Sequence, residues 1–140
     1  MSVQSRRVVR EEVGALLTTR LTTAQRVYAD QPTDFGGQSP VVVVASSGSE
    51  RDGSPRRTFG GPIAPSFALD VYVFVLASAA NVDDAMDDLE AAVAQFVSDV
   101  PSAQSWSAVG YSAATETQFV TVLDGTEYKR ERIPLVLTGR

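Results

Sequence analysis

The chain has 140 residues, a formal net charge of −5, and neither cysteine nor histidine. This length predicts a single domain, residues 1–140, that buries about two-thirds of its surface. The composition excludes disulfides and cysteine metal sites, and it removes histidine, the commonest general base. Hydrolase, nuclease and zinc chemistry are therefore disfavoured, while chemistry based on carboxylates stays open.

The distribution of charge and hydropathy further restricts the classes of protein to which the chain could belong. Residues 1–7 lack the apolar core of a secretory signal, and no apolar run is long enough to span a bilayer. The net negative charge argues against wholesale nucleic-acid binding, and we expect no sequence-specific nucleic-acid partner. Basic segments near both ends flank a strongly acidic segment at 83–99. Unlike-charged surfaces suit head-to-tail self-association, although ordinary monomers also have them.

The first half of the chain predicts one helix and two strands. Residues 5–21 have an apolar stripe at helical spacing, and Arg6, Arg7 and Arg10 fall on the other face, which we interpret as a solvated surface with local ion pairs. A short strand is predicted at 25–28. Turn residues fill 30–37, and a buried strand follows at 41–45.

Residues 46–66 are rich in Gly, Ser, Pro and charge and lack any periodicity. Loops of this length inside a compact domain are uncommon, and they are usually functional or disordered. Because apolar strands flank the segment, we predict a long β-hairpin arm that projects from the domain. Its candidate interaction residues are Arg51, Arg56, Arg57 and Phe59. The alternative is an insertion without a role.

Residues 67–77 predict the central strand of the fold. Both alternating faces are apolar, with Asp70 as the only charge, so the strand must be covered on both sides. We interpret Asp70 as a residue at an edge or in a buried hydrogen bond, in preference to a functional carboxylate.

An amphipathic helix is predicted after this strand, with Asn81 as its N-cap and Pro101 beyond its end. Its polar face has no Lys or Arg. Four aspartates, Asp83, Asp84, Asp87 and Asp88, form a candidate interaction surface. Their spacing does not match an EF-hand, so a solvated helix face is preferred over a metal site.

The last third predicts three strands, at 106–111, 116–123 and 126–137. Trp106 is expected to anchor the core or a sheet face, in preference to forming a ligand platform. Asp124-Gly125 is a strong signal for a hairpin between the last two strands. Pro134 cannot donate a ladder hydrogen bond, which predicts that the last strand lies at an edge or bends there.

The order of these elements predicts an α+β fold with a mainly antiparallel β-sheet covered by two α-helices. The sequence has no Walker loop, dinucleotide-binding glycine motif or G-x-S-x-G elbow. We therefore assign no catalytic, cofactor-binding or metal-binding residue.

The same order of elements, taken with local motifs, resembles the tail terminator (tail completion) proteins of long-tailed bacteriophages, the group that includes the phage lambda tail terminator. The resemblance spans nearly the whole chain and contains no invariant motif. It rests on the N-terminal helix, Arg26-Val27-Tyr28, Pro40 with the run 41–44, the strand 69–75, the Asp-rich helix with Leu89-Glu90, Trp106, the strand at Tyr111, and the segments 125–128 and 133–137.

This resemblance implies a structural virion protein without enzymatic activity. Its copies would form a ring, expected to be a hexamer, on the head-proximal end of the tail tube. The ring would end tube polymerisation and present the surface that joins the head. The implied partners are other copies of the chain, the major tail tube protein and the head–tail connector or neck proteins, with DNA passing through the ring.

Two other classes remain open from the sequence. A head-completion or head–tail connector protein has a similar size and also forms rings. A small monomeric enzyme or ligand-binding domain that uses carboxylates is the less favoured alternative.

Overall fold

In the computed structural model, the described residues are 4–50, 65–122 and 125–140, and Glu50 is described by its backbone alone. The elements in chain order are α1 (Arg6–Arg20), β1 (Arg26–Tyr28), β2 (Val41–Glu50), β3 (Ser66–Leu76), α2 (Val82–Asp99), β4 (Trp106–Tyr111), β5 (Glu116–Thr121) and β6 (Glu127–Gly139). Neither of these helices combines the length and hydropathy needed to span a membrane.

The described strands form one sheet in the order β1-β2-β3-β6-β4, and β5 also pairs with β6. Only β1 and β2 are parallel, and the remaining pairs are antiparallel. The sheet is curled into a half-barrel and, with the two helices, makes an α+β fold. The predicted fold class is thus confirmed at this level.

β3 lies at the centre of the sheet, between β2 and β6, as its two apolar faces predict. One face packs against the helices and places Leu69, Val71 and Val73 in the main core. The other face places Phe74 in a second cluster with Phe35. A strand with apolar side chains on both faces is stable here because each face has its own cover.

The two helices cover one face of the sheet through the stripes that the sequence predicts. In α1 the buried residues include Val9, Val13 and Leu17. In α2 they are Met86, Leu89, Val93 and Phe96. Trp106 is fully buried in the same core, which confirms its predicted role.

The two helix starts differ in their capping. Ser5 caps α1, because its Oγ accepts hydrogen bonds from the amides of Arg7 and Val8 at 3.0 and 3.4 Å. Asn81 occupies the N-cap position of α2, but its side chain makes no capping hydrogen bond. The start of α2 instead has two acidic residues, Asp83 and Asp84, which suit the positive end of the helix dipole.

β6 is a central strand, so the prediction of an edge position at Pro134 was wrong. β6 pairs with β3 along one side, while β5 and β4 pair with successive parts of its other side. The Pro134 carbonyl accepts from the Ser112 amide, which lies between β4 and β5. In an antiparallel ladder the nitrogen of a residue faces the same side as its carbonyl. The missing amide of Pro134 therefore falls where the neighbouring strand is interrupted.

The two strands around the predicted arm are longer than the sequence indicated. β2 continues to Glu50 instead of ending at residue 45, and Glu50 pairs with Ser66 in an antiparallel ladder with a bulge between Ser46 and Gly48. Residues 46–50 and 66 thus belong to the sheet and not to an extended loop. Residues 51–64, which would form the tip of the arm, lie outside the described part of the chain.

Candidate interaction surfaces

The sheet face opposite the helices has a group of arginine and tyrosine side chains, which we call the arginine face. Its members are Arg26, Tyr28, Tyr72, Arg130 and Arg132. These residues come from three strands, β1, β3 and β6, which the sheet brings onto one surface.

The register of the sheet places Arg26 and Arg130 in a single row. Val41 pairs with Arg26 on one side and with Phe74 on the other. Phe74 pairs in turn with Arg130. Because residues paired across a sheet project from the same face, two arginines that are far apart in sequence share one surface.

Each of these two arginines lies over a tyrosine ring. The guanidinium carbon of Arg26 is 4.9 Å from the Tyr28 ring centroid, and that of Arg130 is 4.9 Å from the Tyr72 ring centroid. Within the described part of the chain, neither arginine forms an ion pair with a carboxylate. The rings hold the guanidinium groups in place by cation–π attraction without neutralising them.

Asp70 lies beside this row, and its negative charge is compensated by two members of the arginine face. Arg132 Nε is 3.1 Å from Asp70 Oδ1, an ion pair that is not aligned as a hydrogen bond. The Tyr72 hydroxyl donates to Asp70 Oδ2 at 3.3 Å. Burial, followed by the Asp70 charge, raises the pKa of Tyr72, so this hydroxyl keeps its proton at neutral pH. Asp70 is thus a buried, hydrogen-bonded carboxylate, as the sequence indicated.

An aromatic cluster and a cleft border the arginine face. Phe35, from the segment between β1 and β2, packs on Phe74 and Tyr128 with ring centroids 4.7 and 5.2 Å away. Next to it lies a cleft of about 740 Å³. Arg130 is the one charged residue among the described residues that line this cleft, which also include Pro32, Thr33, Phe74, Val120 and Val122. The cleft is thus largely apolar with a single cation.

The four aspartates predicted as a surface divide into two kinds. Asp83 pairs with Lys129 of β6, which joins the start of α2 to the sheet. Asp84, Asp87 and Asp88 are exposed, follow one another at spacings of three and one, and form no ion pair in the described regions. We call these three residues the acidic stripe. No metal-binding group of three acidic residues exists among the described residues.

A further carboxylate, Glu131 of β6, lies near α2 and is only 6% exposed. Burial, and then the charges of Glu90 and Asp87, raise its pKa, while Lys129 opposes this shift. No local pattern in the sequence marks Glu131, because only the fold brings the acidic helix next to β6.

The outer edge formed by β4 and β5 is unpaired on its far side in the described sheet. It displays two large aromatic side chains, Tyr111 at 43% and Phe119 at 63% exposure. An open edge with exposed aromatic residues is a template for pairing with another chain, which folded proteins normally cover or interrupt.

Some of the residues predicted from sequence lie in the described part of the chain, and others do not. Arg51, Arg56, Arg57 and Phe59 lie outside the described residues. Arg7 pairs with Glu11 on the exposed face of α1, as predicted. Arg10 instead has a side chain only 16% exposed and pairs with Asp30 from the segment after β1, so the prediction that it lies on a solvated surface was wrong. The arginine face was missed, although the alternation of Arg130 and Arg132 along β6 places both on one side of a strand.

Comparison with known proteins gives no further assignment. The chain matches no protein-family model and no curated protein sequence.

Proposed function

We propose that the chain is a structural protein of a phage tail, whose copies assemble into a ring that caps the head-proximal end of the tail tube. The ring ends tube polymerisation and offers the surface to which the head is joined. The protein acts through contacts between proteins and has no catalytic step. Its partners on this proposal are other copies of itself, the tube protein and the neck proteins.

Two lines of support converge on this proposal. The order of elements and the local motifs resemble those of the tail terminators. Among the described residues, the acidic stripe and two members of the arginine face, Arg26 and Arg130, have no ion-pair partner in one copy, and the β4–β5 edge has no strand partner on its outer side. A subunit completed by its neighbours would need surfaces of this kind.

The observation on which the proposal chiefly rests is the β4–β5 edge. β5 is exposed along most of its length, and Phe119 on it is 63% exposed. A free monomer that leaves an aromatic side chain on an open edge is at risk of unspecific pairing. In an assembled ring the same edge would be covered by a neighbouring copy or by the tube.

The direct test is co-assembly with the major tail protein encoded by the same genome. We expect tubes of limited length with a ring of this protein at one end, seen by negative-stain electron microscopy. Without the protein, the same tube protein should polymerise to unlimited length. Tubes that remain uncapped when the protein is in excess would overturn the proposal. Binding to the head portal without binding to tube ends would identify a connector instead.

A further inference from the structure

We propose that the acidic stripe of one copy docks on the arginine face of the next copy, in a head-to-tail contact that repeats around the ring. This inference rests on the proposed function, because it names the contact through which copies of the chain would assemble. The partner is a second copy of this chain, recognised by opposite charge.

The two surfaces lie on opposite sides of the fold. α2 packs on one face of the sheet through Met86 and Leu89, and its stripe projects outward on that side. The arginine face is the other side of the same sheet. The two surfaces point in opposite directions, so one copy cannot join them to each other. A single two-fold pair cannot satisfy both contacts either, which leaves a head-to-tail repeat.

Both surfaces keep charged side chains that have no ion-pair partner among the described residues. α2 contains five acidic residues besides Asp99 and no basic residue, so its like charges repel one another at helical spacing. On the arginine face, Arg26 and Arg130 lack carboxylate partners within the described residues. Opposite charges on the two surfaces would therefore supply the carboxylate partners that Arg26 and Arg130 lack among the described residues of their own copy.

The charged side chains of the two surfaces also have similar spacing. Arg130 and Arg132 are two positions apart on β6, which separates them by about 7 Å along a strand. Asp84 and Asp88 are four positions apart, which separates them by about 6 Å along a helix axis. Arg132 directs Nε to Asp70, and its side chain is 36% exposed. Its remaining guanidinium donors are thus available to a second carboxylate.

Charge reversal tests this contact by sedimentation at low salt, where exposed charges are least screened. The helix variant is D87K/D88K, and the sheet variant is R26E/R130E. We expect each variant alone to lose self-association at least tenfold. Mixing the two should restore it, because every junction again joins opposite charges. The matched control is E11K/E127K for the helix variant and R6E/R7E for the sheet variant. Each control changes the net charge by the same amount as its variant, but at positions away from both surfaces. The controls should associate as the wild type does.

Crosslinking gives an independent test that does not depend on the folding of R26E/R130E. Because the chain has no cysteine, single-cysteine variants react at one place only. Ala91 is exposed one turn beyond the acidic stripe, and Gln118 is exposed opposite Arg130 on β5. A mixture of A91C and Q118C with a short bismaleimide should give dimers, and R6C with Q118C should give far fewer.

The outcomes separate this inference from the proposed function. Equal crosslinking of A91C and R6C to Q118C, or charge variants that associate like the wild type, would overturn the docking contact. If tubes are capped under those conditions, the proposed function stands and the ring uses another surface. If tubes stay uncapped but A91C and Q118C crosslink specifically, the docking contact stands and the phage-tail function fails.

Discussion

The Nε atom of Arg132 lies 3.1 Å from Oδ1 of Asp70, so the one charge in the central strand is compensated from the neighbouring strand β6. The two partners differ in exposure, since the Asp70 side chain is 7% exposed and the Arg132 side chain 36%. A buried charge that loses its partner is costly, whereas an exposed one is hydrated by water. This difference in exposure determines how much stability is lost when either charge is removed.

We therefore expect R132Q to destabilise the fold more than D70N does. R132Q leaves a buried carboxylate without its cation, while D70N leaves a guanidinium that reaches solvent. The measurement is urea unfolding at neutral pH, with R6Q as the control for loss of one surface arginine. An equal fall in the urea midpoint for the two variants would show that the pair is not asymmetric.

Replacement of Glu131 should stabilise the protein at neutral pH. Burial, Glu90 and Asp87 raise the pKa of Glu131 above its usual 4.5, so the native state holds this proton more tightly than the unfolded chain does. The contribution of Glu131 to the free energy of unfolding accordingly falls as pH rises from the usual pKa through the raised one. E131Q has no carboxyl group to ionise at this position, so it avoids this fall in the free energy of unfolding.

Urea unfolding of E131Q and wild type over a series of pH values would measure this effect. The variant should be more stable at pH 7, and its advantage should shrink as acid protonates Glu131 in the wild type. E127Q is the matched control, because Glu127 is an exposed carboxylate on the same strand. An E131Q advantage that is independent of pH would assign the effect to packing instead of charge.

Two phenylalanines should respond in opposite ways to truncation. Phe96 is fully buried against Trp106, so F96A should lower the free energy of unfolding by about 3–5 kcal/mol. Phe119 is 63% exposed on β5, so F119T should change it by no more than about 0.5 kcal/mol. Threonine also suits an edge strand.

Phe119 should matter for tube capping, although it contributes little to the free energy of unfolding. If the β4–β5 edge is covered in the assembled tail, F119T will weaken tube capping while leaving the monomer folded. Circular dichroism and urea unfolding check the monomer, and electron microscopy of tube ends checks capping. Normal capping by F119T would mean that this part of the edge stays uncovered.

The sequence predicted those parts of the fold that depend on local pattern. The two-sided run around Val71 and Val73 marked the central strand, and the periodicity of α2 gave its buried face. Pro134 was misplaced because the sequence shows the missing amide but not the gap between β4 and β5 that it faces. That gap exists only after two strands pair with one side of β6.

The arginine face, like the gap opposite Pro134, depends on strand pairings that the sequence does not show. Arg26 and Arg130 lie near opposite ends of the chain, and they reach one row of the sheet only through the pairings of β2 and β3. The acidic stripe, by contrast, is formed by helical spacing alone, and its three residues are among the four aspartates predicted to share one polar helix face. A surface made by one helix can thus be located from sequence, whereas a surface assembled from three strands is visible only in the fold.

Replacement of residues 51–64 by a short glycine-containing linker tests the predicted arm. Glu50 and Ser66 are paired neighbours in the ladder, so a short connection can join β2 to β3 without moving either strand. A shorter loop costs less closure entropy, and we expect the unfolding free energy to change by no more than about 2 kcal/mol. The folded monomer should therefore survive the replacement.

Ring formation and tube capping should nevertheless be lost, because the replacement removes Arg51, Arg56, Arg57 and Phe59 together. A full-length variant with R51Q/R56Q/R57Q is the matched control, since it keeps the length of the segment and removes only its arginines. Loss of capping in both variants would assign the contact to the arginines, and loss in the replacement alone would assign it to Phe59 or to the backbone. Unchanged rings and capped tubes in both would show that this segment has no part in assembly.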